Sequence, residues 1–368
     1  MPTRKELNLA IFEGTAERVL WQPRLETWIH HHRDYGTLPE RFRGKSDFEI
    51  YDALRCSVRY GGVGGLRRPS PEGVETATET LKDHTIETIR TPIGELRRVY
   101  KDIYDNGRRV NHRIEDFPVK TIDELRVARY IVEHQQFQAD VADYHRAAER
   151  LGDRAQPVRT LISSGLTDLI KHWCGLPGTY YLLTDHPAEV EAYLAACDAR
   201  DDRLLDEALK LPVKLFELGD HATNEFTPPP ILKKYMIPRW RRIAGRIHAR
   251  GGFVWSHWDG NSRLMLPYLR ETHLDAVEAL TPAPMGDMTL EMIKQAVGDR
   301  IVCLDLIPVI DFLPNNPTQK LLDFTRRVID MFAPRLILGI SDELSPPGEI
   351  AKVEAVGELV DKVCGLAD

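Results

Sequence analysis

The pattern of apolar and polar positions changes at about residue 155. Beyond it, short apolar runs alternate with longer stretches whose apolar residues recur every three or four positions, the strand-then-helix rhythm of parallel βαβ units. PVRTLISS, VKLFELGD, GFVWSH, DAVEAL, RIVCLDLI and RLILGIS read as strands. LTDLIKHWCG, the long HPAEVEAYLAACDARDDRLLDEALKL and PPPILKKYMIPRWRRIAGRIHARG read as helices among them. With RVLWQP and part of the middle region upstream, these runs predict an α/β protein, a (β/α)8 TIM barrel rather than an open sheet. No GxGxxG fingerprint opens any unit, so nothing points to a dinucleotide.

Residues 1–130 are less regular. MPTRKELNLAIFEGTAERV reads as a capped amphipathic helix, not a charged, apolar, cleavable leader. The glycine-rich patch YGGVGGLRRPSPEG, Tyr60 to Gly73, lacks the GK[ST] of a phosphate-cradling loop and is expected to be a mobile loop. After it, TETLKDHTIETIRTPIGELRRVYKDI alternates in short Thr/Ile runs about a Thr91-Pro92-Ile93-Gly94 turn, which predicts a β-hairpin. The expected organisation is one domain, residues 1–368, whose first 130 residues add helices, a loop and a hairpin excursion to the regular units of 155–368.

A net charge of -7, with Lys and Arg scattered among Asp and Glu, leaves no basic face for a nucleic acid. No apolar run reaches the length of about 18 residues that suggests a membrane span, and the chain is expected to be soluble and cytoplasmic. The five cysteines, Cys56, Cys174, Cys197, Cys303 and Cys364, are odd in number and form no CxxC pair. That fits reduced thiols rather than a disulfide framework or a zinc finger. Cys303, inside IVCLDLIPV, reads as a buried hydrophobe.

Polar residues gather where the strands should end. Asp220, His221, Asn224 and Glu225 follow KLFELG, and His257, Asp259 and Asn261 follow FVWS. Glu278 and Thr281 mark DAVEAL, Asp305 lies in IVCLDL, and Ser341, Asp342 and Glu343 follow LILGI. One set per unit places them on one barrel face, where rigid strand ends converge and parallel α/β enzymes do their chemistry. Taken singly, an Asp or Ser is more readily the cap of a following helix; the joint pattern points to a site. His257-x-Asp259 is the leading candidate.

Several segments carry a resemblance in their order and spacing: TRKELNLAIFEGTAERVLWQP, TPIGELR, FPVKTIDEL, HPAEVEAYL, the ELGD turn with TPPPILKKYMIPRWRRI, SHWDGNSRLMLPYLRETHLDAVEAL, VGDRIVCLDLIPV and GISDELSPPGEI. Together they resemble the uroporphyrinogen decarboxylase superfamily, which also contains corrinoid-dependent methyltransferases. The resemblance implies a TIM barrel and is compatible with a homodimer. Where true decarboxylases carry an RQAGRYLPEY-like segment, this chain has PRLETWIHHHRDYGTLPERF, which leaves Arg24 and Arg33 as anion binders. Two arginines are too few for a tetrapyrrole with many carboxylates. The HxCGN of the methyltransferase branch becomes His257-Trp258-Asp259-Gly260-Asn261, and its Gly-Cys becomes Gly339-Ile340, so both thiolates of the branch's zinc site are lost. A set of His257, Asp259 and either Asp342 or Glu343 can hold zinc as a harder, more Lewis-acidic site. Equally, these groups can bond one another and a substrate without metal.

The resemblance therefore implies a methyltransferase, the demethylase component that moves a methyl group from a small methoxylated or methylated compound to a corrinoid (cobalamin) protein, with zinc assisting. His257 is then the ligand or orienting group, Asp259 and Asp342 complete the metal set, and Glu225 or Glu343 is the acid. Arg24, Trp28, His221, Asn224, Trp258, Asn261 and Glu278 are expected to line the substrate. Two alternatives stay open: a cofactor-free decarboxylase of a smaller acid gripped by Arg24 or Arg33, and a non-catalytic ligand-binding barrel.

Overall fold

The computed structural model describes residues 2–60 and 64–365. Its contacts group into two compact units: Met1–Gly64, Ala142–Thr160 and Pro212–Asp368 form the larger, Gly65–Val141 and Leu161–Leu211 the smaller.

In the larger unit, Thr3 and Glu6 start the first helix, Arg4–Glu13, with a reciprocal capping box, and Gly14 ends it at φ 77°. Seven strands follow: β1 (Leu20–Trp21), β2 (Val158–Thr160), β3 (Leu215–His221), β4 (Phe253–His257), β5 (Ala276–Glu278), β6 (Val302–Pro308) and β7 (Leu336–Ser341). All pair in parallel, in the order β1-β7-β6-β5-β4-β3-β2. Leu20 of β1 and Val158 of β2 lie at opposite ends of that order, yet both join one apolar cluster with Leu215, Trp255, Ala276, Val302 and Ile337. Edge strands can share a core only if the sheet curls on itself. Leu7, Ile11 and Phe12 of the first helix pack into the same cluster.

Of the eight barrel strands expected above, seven are laddered, and no ladder joins β1 to β2 among the described residues. Beside β1 runs the segment Ser57 to Tyr60. Ser57 donates its N–H to the Trp21 carbonyl at 2.9 Å, and the Gln22 amide donates to Ser57 Oγ at 2.9 Å and the Val58 carbonyl at 3.0 Å. One backbone bond and the Gln22 side chain stand in here for a regular ladder.

The smaller unit has a four-stranded antiparallel meander, Glu75–Leu81, His84–Thr91, Gly94–Asp105 and Arg108–Asp116. The expected hairpin is thus half of the sheet. Its outer strands were hidden because Glu75–Leu81 is exposed throughout and Arg108–Asp116 nearly so, which removes the alternation that marks a strand. The turn between the last two strands is Asn106-Gly107, with φ of 48° and 77°, the backbone that tight hairpins demand. Leu66–Arg67 pairs with Gln138–Ala139, so part of the expected mobile loop is strand; Gly61, Gly62 and Val63 of that patch lie outside the described residues. The helix Ile122–His134 packs on the long helix Pro187–Ala208, through a core that includes Leu125, Ile131, Val190 and Tyr193. Among the described residues no helix is long and apolar enough to cross a membrane. The five cysteines are unpaired, and burial pushes the Cys303 thiol up to about 12.

Candidate active site

Strand alternation builds the site. Leu215, Trp255 and Ala276 belong to the apolar core, so the residues two positions on, Glu217, His257 and Glu278, face the same interior one layer nearer the strand ends. Glu278 is fully buried and is the hub. It accepts from the Tyr60 hydroxyl at 2.6 and 2.7 Å, from Trp255 Nε1 at 2.8 Å and from Arg59 at 3.3 Å. His257 Nδ1 lies 3.6 Å from it and Arg24 3.7 Å. Burial favours its neutral form, but Arg59, His257 and Arg24 outweigh burial and hold Glu278 well below the usual carboxylate range.

The Tyr60 hydroxyl also lies 3.0 Å from Glu217, which accepts from Thr160 Oγ1 at 2.8 Å. One phenolic proton cannot serve two carboxylates. Burial, and then the charge on Glu278, push the Glu217 carboxyl up to about 7. The phenol therefore donates to Glu278, and a protonated Glu217 can donate to the phenol oxygen.

Leu304 lies in the core, so plain alternation would turn Asp305 outward. Instead Asp305 and Leu306 take φ of 82° and 76°, a conformation that costs a non-glycine residue about 1–3 kcal/mol. Asp305 is thereby aimed inward to Arg59 Nη1, at 2.8 Å. Burial pushes its carboxyl up to about 6 against the pull of Arg59. Gly339 leaves the room: a Cβ there would collide with the Asp305 carboxylate and sit 2.9 Å from the Gln22 carbonyl oxygen.

Nearer the surface, Arg24 pairs with Asp342 and Glu343, and Thr27 with Glu343. The Arg24 guanidinium lies 5.0 Å over the Tyr60 ring. His257, Asp259 and Asp342 are half-buried and each offers one ligand atom, all within 4.8 Å of one another. An imidazole nitrogen with two carboxylate oxygens is a donor set that suits zinc or a harder divalent cation. Burial works against a charge on His257, yet Glu278 and Asp342 prevail and raise it to about 9. Burial raises the Asp342 carboxyl, with Arg24 and His257 opposing.

The other expected residues divide. His221 stands beside His257, ring centroids 5.2 Å apart, because the β3–β4 register shifts between Ser256 and His257. Asn224 ties loops together: its amide donates to Asp287 at 3.0 Å and its carbonyl oxygen accepts from the Leu264 N–H at 3.2 Å. The Asn261 amide donates to Glu225 at 3.0 Å. That bond holds the exposed Glu225 carboxyl below its usual range, which suits an anion better than a proton donor. Arg33 pairs with Asp47 at 2.6 Å.

The two expected aromatic walls are both buried. Trp258 is fully buried, 5.9 Å from Trp240; its backbone N–H still bonds the Glu278 carbonyl, so the strand geometry turns its ring to the face opposite His257. Trp28 is buried and donates to the Gly348 carbonyl at 2.9 Å. Asp220 is likewise structural, accepting from Arg239 at 2.7 Å and Trp240 at 2.8 Å.

The sequence reading missed Arg59, Tyr60 and Glu217. A glutamate inside the apolar run KLFEL was a usable signal, since a charge there needs a partner. Arg59-Tyr60 ends the apolar CSV at the edge of the glycine-rich patch and carries no periodic mark.

No protein-family model matches the sequence, and no curated protein matches it. Among solved structures, the chain is similar to a B12-independent methionine synthase from Shewanella sp. W3-18-1 in complex with selenomethionine, at 12% identity and a TM-score of 0.46, over 95% of this chain and 98% of that one. A Listeria monocytogenes protein provisionally assigned as a vitamin-B12-independent methionine synthase is similar at 10% identity and a TM-score of 0.40, over 95% and 97% of the two chains. Likenesses this low say nothing of what this chain acts on.

Proposed function

We propose that this chain is a methyltransferase that takes a methyl group from the oxygen of a small methoxylated compound and passes it to a corrinoid on a partner protein. The observation that carries the reading is the meeting of His257, Asp259 and Asp342, whose ligand atoms lie within 4.8 Å of one another, beside a carboxyl held near neutrality at Glu217. A zinc ion held by those three residues would act as a Lewis acid on the departing oxygen. When the C–O bond breaks, the electron pair stays on oxygen, and a phenolate or alkoxide is a poor leaving group at neutral pH. Glu217 is the proton source, with the Tyr60 hydroxyl next to it. Glu278 stands behind His257 Nδ1 and fixes the imidazole, the part that carboxylates play behind ligand histidines.

Elemental analysis of purified wild-type protein beside His257→Ala and Asp259→Ala tests the metal, and methyl transfer from methoxybenzoates to cob(I)alamin, followed by absorbance, tests the reaction. Near-stoichiometric zinc that both variants lose, with transfer that a chelator stops, is the expected result. Protein that neither carries nor takes up zinc sinks the metal reading.

One observation favours a second reading. Arg24 is engaged by two carboxylates and keeps 13% of its side chain exposed, so a substrate carboxylate could replace either partner. Decarboxylation with Glu217 as proton donor would then proceed with chelator present and without corrinoid, and fail in Arg24→Gln.

A further inference from the structure

The smaller unit contains a cleft of about 520 Å³, inside the range of about 300–1,000 Å³ typical of small-molecule sites. Ile89, Ile131, Val132, Phe137 and Trp173 give it an apolar and aromatic lining, and the guanidinium-bearing residues Arg68, Arg98 and Arg200 line it too.

Two of the three cations have acidic partners. Arg200 is held by Asp168 at 2.6 Å, Asp201 at 2.9 Å and the Ser163 carbonyl at 2.7 Å. Arg98, 5.2 Å over the Trp173 ring, donates to Glu87 at 2.8 Å, to the Tyr100 hydroxyl at 3.0 Å and to the His172 carbonyl at 2.9 Å. These bonds occupy the two acids of the cleft, Glu87 and Asp168. Arg68 differs: it has no acidic partner within ion-pair distance among the described residues, and its guanidinium lies 6.0 Å from the Phe137 ring centre. Burial and the charge of Arg200 disfavour its cation, with Asp168 opposing. Two polar atoms of the lining, unlike those of Arg68, are buried without hydrogen-bond partners: the donor Arg98 Nε and the acceptor Gln135 Oε1. Unpaired buried polar groups are rare in folded proteins because each costs about 1–3 kcal/mol.

We propose that this cleft binds a small aromatic carboxylate, with the carboxylate on Arg68 and the ring against Phe137 and Trp173. Such a ligand supplies the anion that Arg68 lacks and covers the apolar lining in the same act. A neutral aromatic would leave Arg68 unpaired, and inorganic phosphate would leave the aromatic lining bare. Neither a metal nor a methyl acceptor enters this interaction.

Calorimetric titration of the full-length protein with benzoate, benzamide and inorganic phosphate tests it, on wild type, Arg68→Gln and Arg68→Lys. Benzoate should bind saturably and more tightly than the other two. Arg68→Gln should weaken it by about tenfold or more, the worth of one charge-assisted pair, and Arg68→Lys, which keeps the charge but loses the fork, should weaken it less. Arg68 lines the cleft but keeps much of its surface in solvent, so both variants should fold. Absence of saturable benzoate binding, equal binding of benzamide by wild type, or benzoate affinity unchanged in Arg68→Gln would each overturn the assignment.

Discussion

Glu217 and Glu278 reach the same phenolic oxygen of Tyr60, yet they ionise at opposite ends of the carboxylate range because only Glu278 has the close cations. The folded-state value of Glu217 lies above its ordinary 4.5. Its contribution to stability is therefore complete at acid pH and is lost as pH rises from 4.5 through about 7. Compared with Glu217→Gln, the wild type should lose on the order of 1–3 kcal/mol between pH 5 and pH 8 in urea melts; parallel profiles would show that Glu217 ionises normally. Trp258 offers a second test at this scale. Its indole N–H has no partner, so Trp258→Phe should cost little and spare methyl transfer, whereas Trp258→Ala should cost about 3–5 kcal/mol by opening a cavity. If Trp258→Phe folds normally but abolishes turnover, the ring is a substrate wall after all. His257 and Asp259 stood out in the sequence because they follow an apolar run; Arg59 did not, since its partners Glu278 and Asp305 lie 219 and 246 positions away.

At the scale of elements, what was legible was whatever the buried interior wrote as apolar runs. β3 to β7 are such runs. The outer meander strands bury almost nothing, so only their turn chemistry marked them, and Asn106-Gly107 was the mark to read. No apolar pattern could announce the twist at Asp305-Leu306, because two positive φ values in a leucine-rich run oppose local preference. Tertiary demand from Arg59 overrides it. The same demand explains Gly339 on β7, whose missing Cβ leaves space for the Asp305 carboxylate. Gly339→Ala should break the buried Arg59–Asp305 pair and cost about 3–5 kcal/mol, measured by denaturant unfolding. A loss under about 1 kcal/mol would mean that the pair can shift aside.

For the whole molecule, a metal bound only by the folded state raises stability by mass action, about 2.7 kcal/mol at a hundredfold excess over Kd. Thermal unfolding of wild type should therefore move upward with added zinc and return with chelator, while Asp342→Ala should not respond. Unresponsive wild type would leave Asp342 to its ion pair with Arg24. That ion pair joins residues 318 positions apart. Leu20 of β1 likewise pairs with Ile337 of β7, and Arg335 donates to the carbonyls of Ile11 and Phe12 in the first helix at 2.9 and 3.0 Å. During synthesis, the first helix and β1 must thus wait for β7 before these contacts can form. Until then Leu7, Ile11 and Phe12 of the first helix lack the part of their cover that Ile337 of β7 supplies. Nascent chains halted before β7 should be readily digested by protease and prone to chaperone capture, and protection should arrive late and all at once.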